Sequence, residues 1–146
     1  MIHNKIPIID LFAGPGGLGE GFSSVFDNDQ RIFDIKLSIE KDENAHKTLE
    51  LRGFFRKFAR GKVPIEYYEI LQEKNLDKRE KLISDLYEKY PEEALEAKKE
   101  AWLAELGSEN YPSEKIDSRI KESLNGQKNW LLIGGPPCQA FSVFGQ

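Results

Sequence analysis

The chain has 146 residues and a formal net charge of −4, which predicts one domain with its own hydrophobic core. One cysteine and two histidines exclude an intramolecular disulfide and make no metal-ligand spacing. No apolar run approaches the length of a membrane-spanning helix, about 18 residues, and no signal peptide is present, so we expect a soluble cytoplasmic protein without membrane contact.

The first predicted strand is a short apolar run, residues 6–12, and a glycine cluster follows it at residues 13–19. A helical pattern through Phe26 comes next. A strand, a glycine-rich loop and a helix in this order aim backbone N–H groups and a helix N-terminus at a ligand. The glycines also match G-x-G-x-x-G, a spacing that alone would equally predict a nicotinamide-binding oxidoreductase.

The second predicted strand is residues 33–39, where apolar and polar side chains alternate. It ends at Glu40. An acidic residue at the end of the second strand of such a fold accepts hydrogen bonds from the two hydroxyls of a ribose. Asp42 is better explained as the N-cap of the following helix.

Charge is one-signed only in residues 52–62, which hold five basic residues, three phenylalanines and no acid. Cations mixed with aromatic rings are used to bind nucleic acid through phosphate contacts and stacking. Alternatively, the phenylalanines belong to the core and the cations extend around them to solvent. We favour the core interpretation.

Three helices are predicted next, at residues 64–72, 75–90 and 91–106. Laid end to end at about 1.5 Å per residue they would be far longer than a small domain is wide, so we expect them to fold back as a hairpin.

Residues 113–125 allow two interpretations. Ile116, Ile120 and Leu124 are spaced as one face of a helix, with Ser113 as its N-cap. In the other interpretation, Asp117 marks the end of a third strand.

The last predicted strand is residues 131–133, which two glycines and two prolines separate from Cys138. The thiol therefore follows the carboxyl end of a strand, the edge at which open α/β sheets bind ligands. Because each proline fixes φ near about −65°, the support of the thiol is stiff, which suits a nucleophile. The alternative is that Cys138 is a small buried hydrophobe.

Residues 134–142 (Gly-Gly-Pro-Pro-Cys-Gln-Ala-Phe-Ser) and 10–17 (Asp-Leu-Phe-Ala-Gly-Pro-Gly-Gly) resemble two motifs of the cytosine-C5 DNA methyltransferases. The resemblance implies the α/β, Rossmann-like fold of methyltransferases that use S-adenosylmethionine, of which this chain would hold the N-terminal half of the sheet. A charged helical insertion lies outside the family pattern. It also implies that Cys138 attacks C6 of a cytosine flipped out of double-stranded DNA, before the methyl group is transferred to C5.

The resemblance assigns a cofactor site as well. Phe12 would lie against the adenine, the loop backbone would face the methionine part, and Glu40 would bind the ribose with Lys41 beside the adenine. At the end of a third strand, Asp117 would accept a hydrogen bond from the adenine amino group. Two positions depart from the family pattern: Ile116 replaces a glycine and Trp130 an acid. The cofactor-binding candidates are Phe12, Ala13, Gly14, Pro15, Gly16, Gly17, Leu18, Glu40, Lys41, Asp117 and Pro137, and the substrate-binding candidates are Gln139 and Ser142.

We divide the chain into a cofactor-binding half (1–53), a helical insertion (54–112) and a third and fourth strand region with the cysteine loop (113–146). The family's later glutamate, arginines and target-recognition region would follow Gln146. We therefore expect an N-terminal fragment that is inactive alone, needs the remaining C-terminal part of the enzyme, and self-associates through an uncovered sheet edge.

The expected role is DNA methylation in a restriction-modification setting, in the cytoplasm at the nucleoid. Two other functions stay open: a cytosine-C5 methyltransferase acting on tRNA, and a non-catalytic subunit of a split enzyme that binds cofactor and DNA.

Overall fold

A computed structural model of the protein describes residues 5–137. The elements, in chain order, are β1 (Ile6–Leu11), α1 (Gly17–Ser23), β2 (Phe26–Asp27), β3 (Gln30–Arg31), β4 (Phe33–Glu40), α2 (Glu43–Arg56), α3 (Ile65–Gln72), α4 (Leu76–Lys89), α5 (Pro91–Glu100), β5 (Ala101–Leu103), α6 (Ser113–Leu124) and β6 (Leu131–Gly134). Within residues 5–137, no helix combines the length and the apolar character needed to cross a bilayer.

Four strands form one parallel sheet in the order β5-β4-β1-β6, so β1 has a neighbour on each side. When the four strands of this sheet are numbered along the chain, their order across the sheet is third, second, first, fourth. Between the first and fourth strands the winding direction reverses, and a ligand crevice opens at that point in doubly wound folds. The α/β, Rossmann-like prediction is therefore confirmed.

Helices cover both faces of the sheet. The register of β1 against β4 shifts between Ile8 and Ile9. As a result Ile35 and Leu37, two positions apart on β4, face opposite sides of the sheet. Ile35 lies under α1 near Gly19, whereas Leu37 packs with the buried residues of α6. Burial on both faces explains why β1 is apolar almost throughout.

The insertion folds back on itself as predicted. Helices α3, α4 and α5 pack with α2 around a second core, which consists of Leu51, Phe54, Tyr67, Ile70, Leu86, Ala94 and Ala97. Local signals set the helix starts: the Asn75 side chain accepts from the backbone N–H of Lys78, and Pro91 opens α5. Asp42 likewise caps α2 by accepting from Ala45, which confirms that prediction.

The third predicted helix of the insertion is shorter than expected. It ends at Glu100, and residues 101–103 form β5, the third strand of the parallel sheet. The range 54–112 therefore contains a sheet strand, and its first boundary falls within α2, which continues to Arg56.

The core interpretation of residues 52–62 is confirmed. Phe54 is fully buried, and the two other phenylalanines pack against the second core. Arg52 donates to the carbonyl of Pro15, and Arg60 stacks over the ring of Phe26. These contacts leave no row of aromatic rings open for stacking on bases.

Residues 113–124 form a helix, so the strand interpretation of Asp117 is wrong. Ser113 opens the helix without capping it, because the N-cap position is Pro112 and no side-chain hydrogen bond is made there. The helical pattern expected through Phe26 also ends early, at Ser23, and Phe26 belongs to a two-stranded ribbon, β2 with β3.

Strand β6 is an edge strand within the described part of the chain, since it pairs with β1 alone. Its Leu132 is 58% exposed, and Trp130 and Leu131 are partly exposed beside it. An apolar sheet edge of this kind is open to further pairing, and self-association through it stays a prediction.

Replacing Gly134 by alanine should destabilise the fold by about 1–3 kcal/mol, since a Cβ there would overpack the sheet. The ideal Cβ position lies 2.5 Å from the carbonyl oxygen of Leu11. Urea denaturation measures the change. Gly135→Ala is the matched control, because a Cβ at 135 meets nothing within 4 Å. Equal stability of the two variants would contradict the close approach of β6 to β1.

Candidate active site

The carboxyl ends of the parallel strands share one edge of the sheet, and a cavity of about 330 Å³ opens there. Its walls come from residues at or just after the ends of all four strands: Phe12, Gly14, Ile39, Glu40, Lys41, Ala104, Glu105, Leu106, Gly135 and Pro137. Residues distant in sequence therefore meet at one site, on the edge where doubly wound sheets bind ligands.

The start of the glycine loop lines the cavity and has an unusual backbone conformation. Phe12 has a φ of 56°, in the left-handed region that few non-glycine residues adopt, and its side chain is 40% exposed. Gly14 and Gly16 also have positive φ, which glycine adopts without steric cost. At Gly16 a Cβ would lie 2.9 Å from Leu49 Cδ1, so the Leu49 side chain would have to shift to admit one.

The end of β4 holds the loop in place. Ala13 donates its backbone N–H to the carbonyl of Ile39 at 3.0 Å, and Gly14 donates to Glu40 Oε2 at 2.7 Å. The other oxygen, Glu40 Oε1, accepts from the N–H groups of Lys41 and Asp42, both at 2.9 Å. Glu40 therefore organises the loop.

Those contacts limit what else Glu40 can bind. A carboxylate has about four acceptor positions, and three are already used by backbone N–H groups. One position on Oε2 remains for a ligand hydroxyl. To accept hydrogen bonds from both hydroxyls of a ribose, Glu40 must give up at least one backbone contact.

Glu105 is a site residue that the sequence analysis missed. It follows β5, lines the cavity, and forms an ion pair with Lys41 at 3.1 Å. Both side chains are more than half exposed, so the pair itself adds little stability. The available signal was the apolar run 101–104 before this acid, which the helical pattern of residues 91–106 concealed.

Asp117 does not line this cavity. It lies on α6 and lines a different one, about 690 Å³, between that helix and β6. The other walls of the second cavity are mainly apolar and include Leu11, Ile120 and Trp130. The prediction that Asp117 ends a third strand at this edge of the sheet is therefore wrong, and Asp117 does not share a cavity with Phe12 and Glu40.

The structure brings together five of the predicted cofactor-binding residues: Phe12, Gly14, Glu40, Lys41 and Pro137 line the same cavity. The remaining loop candidates, Ala13, Pro15, Gly16, Gly17 and Leu18, continue from it into α1 without lining the cavity. Cys138, Gln139 and Ser142 lie outside the described residues. Pro137, next to Cys138 in the chain, is a wall residue.

Asp10 lies buried between the sheet and α1. It is 1% exposed, and neither carboxylate oxygen has a hydrogen-bond partner within residues 5–137. Burial raises the pKa of Asp10 to about 6, the nearby Arg56 opposes the rise, and Glu40 adds to it. The side chain points at Gly19, where a Cβ would be 3.3 Å from Oδ2.

Residues 5–137 contain no group of three or more histidine, cysteine, aspartate or glutamate side chains arranged to hold an ion. The chemistry available at the cavity is that of backbone N–H groups, one aromatic ring, carboxylates and a lysine.

The chain is similar to the Type II methyltransferase M.Bpa9945I of Bacillus paralicheniformis, with 30% identity over 149 aligned positions that cover 95% of the chain. The aligned region is 32% of that methyltransferase, so the chain spans about a third of the length of this relative. No protein-family model and no solved structure matches the chain.

The raised pKa of Asp10 predicts a pH dependence of stability. Because the folded state binds this proton more tightly than the unfolded chain does, the stabilisation is complete below about pH 4 and is lost as the pH rises through about 6. The loss should reach about 3 kcal/mol. Urea denaturation of the wild type and of Asp10→Asn, from pH 4.5 to 8, measures it. The variant should gain stability relative to the wild type as the pH rises, and a constant difference would refute the assignment.

Proposed function

We propose that this chain is the cofactor-binding part of a DNA methyltransferase that uses S-adenosylmethionine and methylates C5 of cytosine. One observation carries the proposal: Phe12 and Gly14 after the first strand share a cavity with Gly135 and Pro137 after the fourth. A cofactor on the glycine loop and a base held at Cys138 would therefore face each other. The similarity to a Type II methyltransferase supports the same reaction class.

The residues around the cavity fit the cofactor. Its volume, about 330 Å³, lies at the lower end of the range of small-molecule sites, about 300–1,000 Å³. The exposed ring of Phe12 offers a face for the adenine, with Ile39 and Leu106 as further apolar walls. Glu40 offers a free acceptor position for a ribose hydroxyl.

We assign the contact with the adenine amino group to Glu105 instead of Asp117. Glu105 follows the third strand of the sheet and lines the cavity, as this role requires. Lys41 contacts Glu105 through Oε1, so the carboxylate keeps acceptor positions for the adenine amino group. Lys41 then keeps its aliphatic stem beside the base.

Cys138 would supply the nucleophile. Its thiolate adds to C6 of a flipped-out cytosine, and the electrons of the C5=C6 bond make C5 nucleophilic. When bound, S-adenosylmethionine provides an electrophilic methyl group that C5 accepts. Loss of the C5 proton then restores the double bond and expels the thiolate. Because residues 129–146 contain no charged side chain, thiolate stabilisation must come from backbone N–H groups or from other parts of the protein.

This reaction belongs to the whole protein, of which the 146-residue chain corresponds to the first motifs. DNA recognition, the partner segments and a role in restriction-modification at the nucleoid are parts of the same proposal. A lone cysteine after Gly-Gly-Pro-Pro favours attack on carbon over methylation of an amino group, which needs no thiol.

Cofactor choice can be measured directly on the chain. Isothermal titration should show binding of S-adenosylmethionine and S-adenosylhomocysteine and no binding of NAD. Phe12→Ala should weaken binding about tenfold, because the adenine loses its aromatic contact. Leu95→Ala is the control, since Leu95 is an exposed apolar residue on α5 away from the cavity. Binding of NAD in preference to S-adenosylmethionine would overturn the cofactor assignment.

The nucleophile can be tested in the protein expressed from its complete gene. With DNA that carries 5-fluorocytosine at the target, C5 cannot lose a proton, so the covalent adduct should persist in a denaturing gel. Cys138→Ala should abolish both the adduct and methylation while the affinity for S-adenosylmethionine changes less than about twofold, because the cofactor contacts remain. Methylation of cytosine by the alanine variant would rule out the covalent mechanism.

A further inference from the structure

We propose that Glu100, the last residue of α5, is a positioning residue for the glycine loop and acts through Arg56. The insertion is then a working part of the cofactor site. The predicted effect of Glu100 on cofactor affinity rests on the proposed function, whereas the coupling between Glu100 and the glycine loop does not.

The coupling passes through a buried ion network. Arg56, at the end of α2, donates one guanidinium N–H to Glu20 on α1 and another to Glu100 Oε1 at 2.6 Å. Lys57 Nζ donates to Glu100 Oε2 at 2.5 Å. The Arg56 and Glu100 side chains are only 6% and 5% exposed. Three helices distant in sequence are therefore joined at one point.

Each member of the network depends on its partners. Burial by itself would lower the pKa of Arg56, but the carboxylates of Glu100 and Glu20 more than compensate, and the pKa is raised. Removing one partner of such a buried network leaves an uncompensated charge, so the remaining groups must move or bind water. The position of Arg56 is thus conditional on Glu100.

Helix α2 passes the constraint to the glycine loop at two places. Glu20 lies in the first turn of α1, and its N–H donates to the carbonyl of Gly16 at 2.9 Å. One turn before Arg56, Arg52 donates to the carbonyl of Pro15 at 2.8 Å. The last turns of α2 therefore hold both the loop and the helix that follows it.

Glu100 is also next in the chain to β5, the strand that leads to the opposite wall of the cavity. It directly precedes β5, whose end leads into Ala104, Glu105 and Leu106. Its own place is set by the close packing of α5 on α2, where a Cβ at Gly53 would lie 3.2 Å from Glu100 Oε1. One buried carboxylate thus ties the loop wall to the β5 wall.

Arg56 has space to leave its position. A polar cavity of about 420 Å³ lies beside it, lined also by Lys57 and Glu100 and by residues near the amino ends of β1 and β4. If Glu100 loses its charge, Arg56 is no longer held on the α5 side and can move within this space, and its remaining partner Glu20 shifts with it. The start of α1 and the glycine loop would then open more often.

Amide hydrogen exchange of the chain without any ligand tests the coupling. In Glu100→Gln, amides of residues 13–20 should exchange about tenfold faster, a change typical of coupled sites. The matched control is Glu92→Gln, about two turns earlier on α5 at an exposed position that does not line the polar cavity beside Arg56, which should not change them. Unchanged exchange at residues 13–20 in a folded Glu100→Gln protein would overturn the proposal.

A second pair of variants separates positioning from general stability. Lys57→Met should lower the melting temperature but keep loop exchange within about twofold, because the Arg56–Glu100 pair remains and loop amides open locally. Equal acceleration in Lys57→Met and Glu100→Gln would mean simple destabilisation and would reject the coupling.

If Glu100→Gln does not fold, Gly53→Ala displaces the same carboxylate with all charges kept and should speed loop exchange severalfold. Unchanged exchange in a folded Gly53→Ala would also reject the proposal.

Titration with S-adenosylmethionine tests separately whether Glu100 affects cofactor affinity. Glu100→Gln should bind about tenfold more weakly than the wild type, and Glu92→Gln should bind equally. If loop exchange rises but the wild type does not bind S-adenosylmethionine, the proposed function fails and the coupling stands. If the wild type binds and Glu100→Gln binds equally well, the positioning role is rejected.

Discussion

The central place of β1 in the parallel sheet is the constraint on which the site depends. Because β1 pairs with β4 on one side and β6 on the other, the segments that leave these strands emerge side by side. Ile8 and Ile9 are completely buried, so a shift of β1 would expose core on both faces. The shared cavity follows from this pairing, and the close contact of Gly134 with Leu11 leaves little freedom in it.

Buried polar groups lie beneath the glycine loop at a cost in stability. Asp10 is buried without a partner, and Arg56 has a buried Nε that also lacks one within residues 5–137. Such groups cost free energy that apolar side chains would not. Above them, Phe12 adopts a left-handed backbone that Glu40 and Ile39 help to hold. Strained backbone and buried polar groups concentrate where a fold is shaped for binding.

Helices α3 to α5, which lie between β4 and β5 in the chain, are continuous with this site. They pack with α2 around the second core, and Glu100 at the end of α5 leads directly into β5, whose end supplies one cavity wall. An insertion between two strands alters the distance between them in sequence and leaves the sheet order unchanged. It can therefore add contacts to a site without changing the topology, and the Glu100–Arg56–Glu20 network is an example.

The sequence by itself determined the features that depend on neighbouring residues. These are the strands before the glycine loop and before Cys138, the alternating strand that ends at Glu40, and the cap at Asp42. The three helices of the insertion were also predictable, because apolar period and capping residues act within a few positions. The two motifs that resemble a methyltransferase family also pointed to Phe12, Glu40 and Pro137, which line one cavity in the structure.

Only the tertiary structure decided which acid follows the third strand and what Arg56 does. Strand β5 has three residues, too few for a periodic signal, and it forms because β4 offers it a partner. Glu105 meets Lys41 across 64 positions, and Arg56 meets Glu100 across 44. Contacts of that separation arise from the packing of whole elements, so no local pattern records them.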